Sequence, residues 1–287
     1  MFAVYQKELK SYFNNLFGYL YIAIVLLFMG IFTSMINFKS LSADIAYPLD
    51  YLAIVVFLIT PLLTMRSIAE ERQKKTDQLL YSLPISVSST VLAKYFAMLT
   101  VFMVPIAIIC IYPFVLGSFG LVNFARAFSS IFAFTLMGAC LLAIGLFVSA
   151  LTENQIVSAI LSFVTMLVIY FSSLLVNLVP ATAQGSFVAF TVCAVILGLI
   201  VYIMIKNYVV AMAVTTVFEV VLAVFYKMNT TYFEGLFGKV VNWISVYDRC
   251  INFYNGLFDL TAVVYFLSVI FLFVFLSIQA VEKRRWS

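Results

Sequence analysis

The chain has 287 residues, 65% of them hydrophobic, with 30 Phe, a mean hydropathy of +1.15 and only 10% charged side chains. No soluble domain of that length hides so much apolar surface, so the chain is read as an integral membrane protein. The net charge of +4 is too mild for nucleic-acid binding, and the absence of His excludes histidine bases, histidine metal ligands and the triads built on them.

Residues 1–16 predict an interfacial amphipathic helix. Phe2, Tyr5, Leu9, Tyr12, Phe13 and Leu16 recur at three- and four-residue spacing, with Gln6, Lys7, Lys10 and Asn14 on the other face. The polar start of a signal anchor is the other reading. No small-residue cleavage site follows the apolar run, so the segment is expected to be retained. The first two spans are expected at about 17–37 and 49–65, with Pro61 bending the second near its end.

Residues 66–86 then carry Arg66, Glu70, Glu71, Arg72, Lys74, Lys75 and Asp77 within twelve positions, a density that lipid does not tolerate. Glu70 and Glu71 stand four residues before Lys74 and Lys75, the favourable order for ion pairs on one helix. Leu79, Leu80 and Leu83 add an apolar patch, and Pro84 ends the pattern. The expectation is a short amphipathic helix in an aqueous loop between the second and third spans.

Ser86, Ser88 and Ser89 offer N-caps for a third span at about 91–116, followed by a fourth at 127–151 with Thr135, Gly138, Gly145 and Ser149 as a small-residue stripe. A fifth is expected at 156–179, where Ser158, Ser162, Thr165 and Ser172 line one side, either for helix packing or as a polar transport path. Two more follow at 186–205 and 208–226, and a last at 260–280. Between them, residues 229–259 mix Trp243, Tyr247, Phe253, Tyr254 and Phe258 with charged side chains and Gly, as expected of an amphipathic segment at the outer membrane surface.

The fold class expected is therefore an all-α polytopic membrane protein: one transmembrane domain over 1–287, with an interfacial helix and six to eight spans, eight being the best count. With both termini inside, only Lys39, Arg126, Lys227, Lys239 and Arg249 lie outside, leaving eleven of the 16 basic residues in the cytoplasm. The charged loop helix then faces the cytoplasm.

Chemistry narrows the function. There is neither a phosphate-binding Gly-x-x-x-x-Gly-Lys-Ser/Thr loop nor a Gly-x-Gly-x-x-Gly run, and no paired catalytic set, metal cluster or C-x-x-C spacing among Cys110, Cys140, Cys193 and Cys250. An enzyme acting on lipid is disfavoured on that ground. Glu219 is the one acidic side chain deep in an expected span, with Thr215 and Thr216 a turn earlier. It is either a packed, hydrogen-bonded carboxyl, part of a substrate path, or close to water at a span boundary. Two classes remain: a transporter subunit driven by a separate ATPase that docks on the charged helix, and an ion- or proton-coupled carrier or channel using Glu219.

The stretch Ile68 to Ser86, containing Ala69-Glu-Glu-Arg72, Thr76, Leu79-Leu80 and Pro84-Ile-Ser86, followed by Ala93-Lys94, resembles the signature of type-2 ATP-binding-cassette (ABC) permeases. Lys7-Glu-Leu-Lys-Ser-Tyr-Phe13, Ser245-Val-Tyr-Asp-Arg249 and Tyr265-Phe-Leu-Ser268 are similar to the gliding-motility-type branch of that family. The resemblance implies six core spans, an interfacial helix and a coupling helix that docks on an ATPase. Glu70, Glu71, Arg72, Thr76, Leu79, Leu80 and Leu83 would be its contact residues, and Ser162, Thr165, Ser172 and Glu219 a possible substrate path. It further implies a non-catalytic exporter subunit in a bacterial plasma membrane, paired with a second copy or sibling permease and with two ABC ATPases that hold ATP and Mg.

Overall fold

The computed structural model describes residues 1–40, 42–76, 85–172, 176, 178–205, 208–228 and 230–285, and every regular element among them is a helix. Long apolar runs leave the backbone no partner in hydrocarbon except its own i−4 carbonyls, so helix is the expected solution for each. The chain divides into two compact units, Met1–Tyr170 with Val246–Ser287, and Phe171–Ser245.

The first unit begins with α1 (Phe2–Asn14) and α2 (Leu16–Phe32), the latter continuing into a π-helical turn at Thr33–Phe38. Then come α3 (Ala46–Thr64), α4 (Ala69–Gln73), α5 (Val87–Ile109), α6 (Tyr112–Gly117), α7 (Phe124–Leu151) and α8 (Gln155–Tyr170). Ser86 caps α5 as its position suggests, its Oγ accepting from the Ser89 N–H at 3.3 Å. The unit closes with α12 (Asp248–Tyr254) and α13 (Leu260–Arg285). The second unit holds α9 (Ala183–Ile205), α10 (Tyr208–Met228), a 3-10 turn at Thr230–Phe233 and α11 (Leu236–Ile244).

Helix α7 is the axis of the first unit, lying against α3, α5, α8, α12 and α13. Its small residues let those neighbours approach. A Cβ on Gly138 would stand 2.1 Å from the Phe102 ring, and one on Gly145 would stand 2.6 Å from Thr64. The stripe is therefore a packing surface. Around it Tyr21, Phe57, Phe102 and Phe134 are fully buried.

Among the described residues five helical stretches are long and apolar enough to cross a membrane: Leu16–Phe38, Ala46–Gln73, Val87–Gly117, Phe124–Leu151 and Leu260–Arg284. Each of the eight expected spans overlaps a helix, although the fifth, expected at 156–179, is regular helix only to Tyr170, with 173–175 and 177 outside the described residues. The remaining three are α8, only 16 residues long, and the α9–α10 pair of the second unit. The expected outer segment 229–259 divides between the units, since α11 belongs to the second and α12 to the first. Helix α12 buries one face, Cys250, Phe253 and Tyr254, in its own bundle and leaves Ile251 and Asn252 exposed; Arg126 Nε donates to the Tyr254 carbonyl at 2.7 Å and Ser130 Oγ to that of Phe253 at 3.3 Å.

Candidate functional site

The charged loop between α3 and α5 begins as the sequence predicts and then departs from it. Glu70 and Glu71 lie in the first turn of α4, and Lys74 Nζ sits 2.6 Å from Glu70 Oε1, the expected i,i+4 pair. Lys75 makes no such pair with Glu71. Its backbone turns left-handed (φ 57), ending α4 after five residues, so the helix does not continue unbroken toward Pro84. Asp77, Leu79, Leu80, Leu83 and Pro84 lie outside the described residues.

Glu71 instead faces long-range partners. Its two carboxylate oxygens take Lys7 Nζ at 2.9 Å and Lys94 Nζ at 2.9 Å. Lys94 also reaches Glu8 Oε1 at 3.0 Å and donates to the Ser67 carbonyl at 2.7 Å, which uses all three ammonium hydrogens. With 3% of its surface exposed, Lys94 is a buried cation, and two carboxylates and a carbonyl are the partners that such burial requires. Lys7, more than half exposed, closes the cluster from outside.

The rest of α4 is tied down as tightly. Arg66 holds Glu70 in a bidentate pair at 2.6 and 3.0 Å while its guanidinium lies 4.4 Å from the centre of the Phe17 ring. Ser149 Oγ on α7 accepts from the Ile68 and Ala69 N–H groups at 3.2 and 3.1 Å, capping the start of α4. Arg72 is buried and donates to the carbonyls of Ala150 and, at 3.3 Å, Thr152 at the end of α7. The Gln155 N–H at the start of α8 donates to Gln73 Oε1 at 3.2 Å. Nearby, Tyr12 Oη donates to the Leu63 carbonyl at 3.1 Å. Burial, reinforced by the Glu8 carboxylate, holds that phenol well above its ordinary pKa and keeps it a donor. The Arg284–Glu153 pair at 2.8 Å brings the end of α13 to the same end of the unit.

Of the expected docking residues, Glu71 and Arg72 therefore face the bundle and fix the loop helix to it, whereas Glu70 is tied within the loop to Arg66 and Lys74. Thr76 is exposed, and Gln73, Lys74 and Lys75 are exposed beside it. The sequence reading missed Glu8, Ser149 and Thr152 as partners. One signal was available: Lys94 stands alone as a cation two turns inside an apolar helix, which demands a buried anion. Helix α1 turns the expected face inward: Tyr12 is buried, Tyr5, Leu9 and Phe13 pack on the core, and Gln6, Lys7, Lys10 and Asn14 are exposed. Val4 and Glu8 are buried beside that face, Glu8 to pair with Lys94, while Phe2 at its start and Leu16 on α2 are exposed.

The expected path residues do not come together as one group. Ser162 is fully buried on the face of α8 turned to its own bundle, while Thr165 is partly exposed and its Oγ1 returns 2.7 Å to the Leu161 carbonyl. Ser172 and Glu219 belong to the second unit.

No curated protein matches this chain. A family model described as ABC-2 family transporter protein matches residues 2–185, more than half of the chain and the whole of the anchored loop helix with α1 to α8. With that match on an all-helical, multi-pass membrane body, the chain belongs to the ABC-2 family of transporter proteins, as a permease subunit of an ABC transporter.

Proposed function

We propose that this permease is the membrane half of an ABC exporter in a bacterial plasma membrane. It would work as a pair of permeases, two copies or a copy with a sibling, with two ATPases that bind ATP and Mg. Segment 66–86 is the element on which the ATPase docks, and the positive-inside bias puts it and both termini in the cytoplasm. The observation that carries this reading is mechanical. A helix of only five residues is bonded to α1 through Lys7, to α5 through Lys94, to α7 through Ser149 and Ala150, and to α8 through Gln155. A connecting loop has no need of such anchorage. An element that receives a push from a second protein and passes it to four helices does.

The expected docking residues then divide into two roles. Lys74, Lys75 and Thr76, being exposed, meet the ATPase, and Leu79, Leu80 and Leu83 are the apolar contacts that the sequence adds to them. Glu70, Glu71 and Arg72 hold the helix so that movement of the ATPase reaches the spans. Exposed Phe2 on α1 and Leu16 at the start of α2 would lie in membrane lipid. The matches of residues 7–13, 245–249 and 265–268 support the gliding-motility-type branch.

Co-purification with the ATPase and transport measured together test this. Reversing Lys74 and Lys75 to Glu is expected to release the ATPase. Arg72→Ala is expected to keep it bound while hydrolysis no longer drives transport. If the double reversal leaves both binding and transport intact, the docking assignment fails.

A further inference from the structure

Helices α9 and α10 of the second unit form an antiparallel hairpin: the Phe187 and Tyr226 rings meet at 4.8 Å, and a Cβ on Gly198 would stand 2.0 Å from Thr215 Cγ2. Along this seam lies a cavity of about 290 Å³. Helix α10 contributes Tyr208, Met212, Thr215 and Glu219 at i, i+4, i+7 and i+11, a single helical face, and α9 contributes Val195, Gly198 and Tyr202. Side chains on a helix lean toward its N-terminus, so in an antiparallel pair Glu219 and Tyr202 lean toward each other, over the Gly198–Thr215 contact.

Glu219 is the single charged group in this lining, and its carboxyl has no hydrogen bond or ion pair among the described residues. Lys227 lies eight residues on, ~12 Å along the helix, too far to neutralise it. A lone carboxyl in an apolar, aromatic groove is costly unless a cation joins it, and the adjoining tyrosine ring offers a face that attracts one. The remaining wall, Val195 and Met212, is apolar.

We propose that this groove binds an amphiphilic ammonium. The cationic head would lie between the Glu219 carboxylate and the Tyr202 ring, and the hydrocarbon tail along Val195 and Met212 toward Tyr208. The whole lining lies beyond residue 185, outside the stretch that the family model covers, so the site does not depend on the permease reading. The same chemistry is offered by a membrane lipid with an ammonium headgroup and by a water-borne amphiphilic amine.

Binding needs no ATPase, so its outcome is separable from that of the docking assignment. The purified full chain in maltoside micelles, titrated with radiolabelled dodecyltrimethylammonium, is expected to show one saturable site. Glu219→Gln should weaken it roughly tenfold, the loss of one charge-assisted contact. Met212→Trp, which fills the groove and leaves the carboxyl, should abolish it, and neither change should alter partition of neutral dodecanol. A second arm incorporates the chain into phosphatidylglycerol nanodiscs doped with phosphatidylethanolamine and counts retained lipid by native mass spectrometry. Retention lost in Glu219→Gln and competed by the amine assigns the site to lipid, whereas amine binding without retention assigns it to a water-borne ligand. Absence of a saturable site, or equal affinity in wild type and Glu219→Gln, overturns the proposal.

Discussion

Lys94 Nζ lies 3.0 Å from Glu8 Oε1, a contact between residues 86 positions apart that joins the N-terminal helix to the third long span. Both groups are buried, so neither keeps enough water to be left alone. Removing Lys94 leaves buried Glu8 with Lys7 alone, 3.6 Å away, at a cost of about 3–5 kcal/mol, whereas removing Glu8 leaves Lys94 paired with Glu71. Lys94→Ala is therefore expected to lower unfolding stability by that order in detergent and Glu8→Ala by less, both read by thermal melting. The double variant Glu8→Gln with Lys94→Met, close in volume to the originals, should recover most of the loss. Equal melting of wild type and Glu8→Ala would show that the pair contributes little.

The α5–α7 contact rests on the absence of a side chain at Gly138. Phe102, which sits there, is fully buried and also meets the Tyr21 and Phe134 rings at 6.5 Å each, so it has no room to retreat. Gly138→Ala is expected to destabilise by about 1–3 kcal/mol through overpacking. Combining it with Phe102→Leu, which shortens the clashing group, should give a smaller loss than the two single changes added together. Strict additivity in this cycle would mean that the two positions do not touch.

At the other end of α3, Tyr247 Oη donates to Asp50 Oδ1 at 2.5 Å, while the Tyr247 and Tyr170 rings lie 5.2 Å apart. The bond secures the segment leading into α12 against α3. Tyr247→Phe keeps the ring and loses a hydrogen bond to a charged group, expected to cost about 1.5–3 kcal/mol. Asp50→Asn should lose less, because an amide oxygen still accepts. The melting temperatures of the two variants decide the order.

Asp259 stands at the start of α13, where Oδ1 accepts from the Thr261 N–H at 2.9 Å and Oδ2 from Asn252 Nδ2 at 2.9 Å. The Asn252 bond, followed by that to Thr261, holds its pKa below the ordinary carboxylate range. A depressed folded-state value means stability that is present above the unfolded value, about 3.9, and is lost as pH falls through the folded one. Wild type should thus melt above Asp259→Asn at pH 7, and the gap should close on acidification below pH 4. The group is almost fully solvated, so the gap is small. A gap unchanged between pH 7 and pH 3 would remove the charge from the account.

The sequence by itself determined everything that depends on local chemistry. Apolar runs near the length of a bilayer require helices, because backbone groups in hydrocarbon have no other partner. Charge density located the loop helix, the i,i+4 spacing foresaw Glu70 with Lys74, and Ser86 marked the start of α5. Which residues of the loop helix would stay exposed was decided only in three dimensions. Glu71 has Lys75 four residues away, yet it pairs with Lys7 and Lys94, because a buried ammonium gains more from a second carboxylate than an exposed helix pair does. For the same reason α1 turns Glu8 inward beside its apolar face, which packs on the core through Tyr5, Leu9, Tyr12 and Phe13. Periodicity along one helix cannot reveal a partner 64 or 86 residues away. That choice belongs to tertiary packing, where the desolvation of one lysine demands carboxylates that the local pattern does not point to.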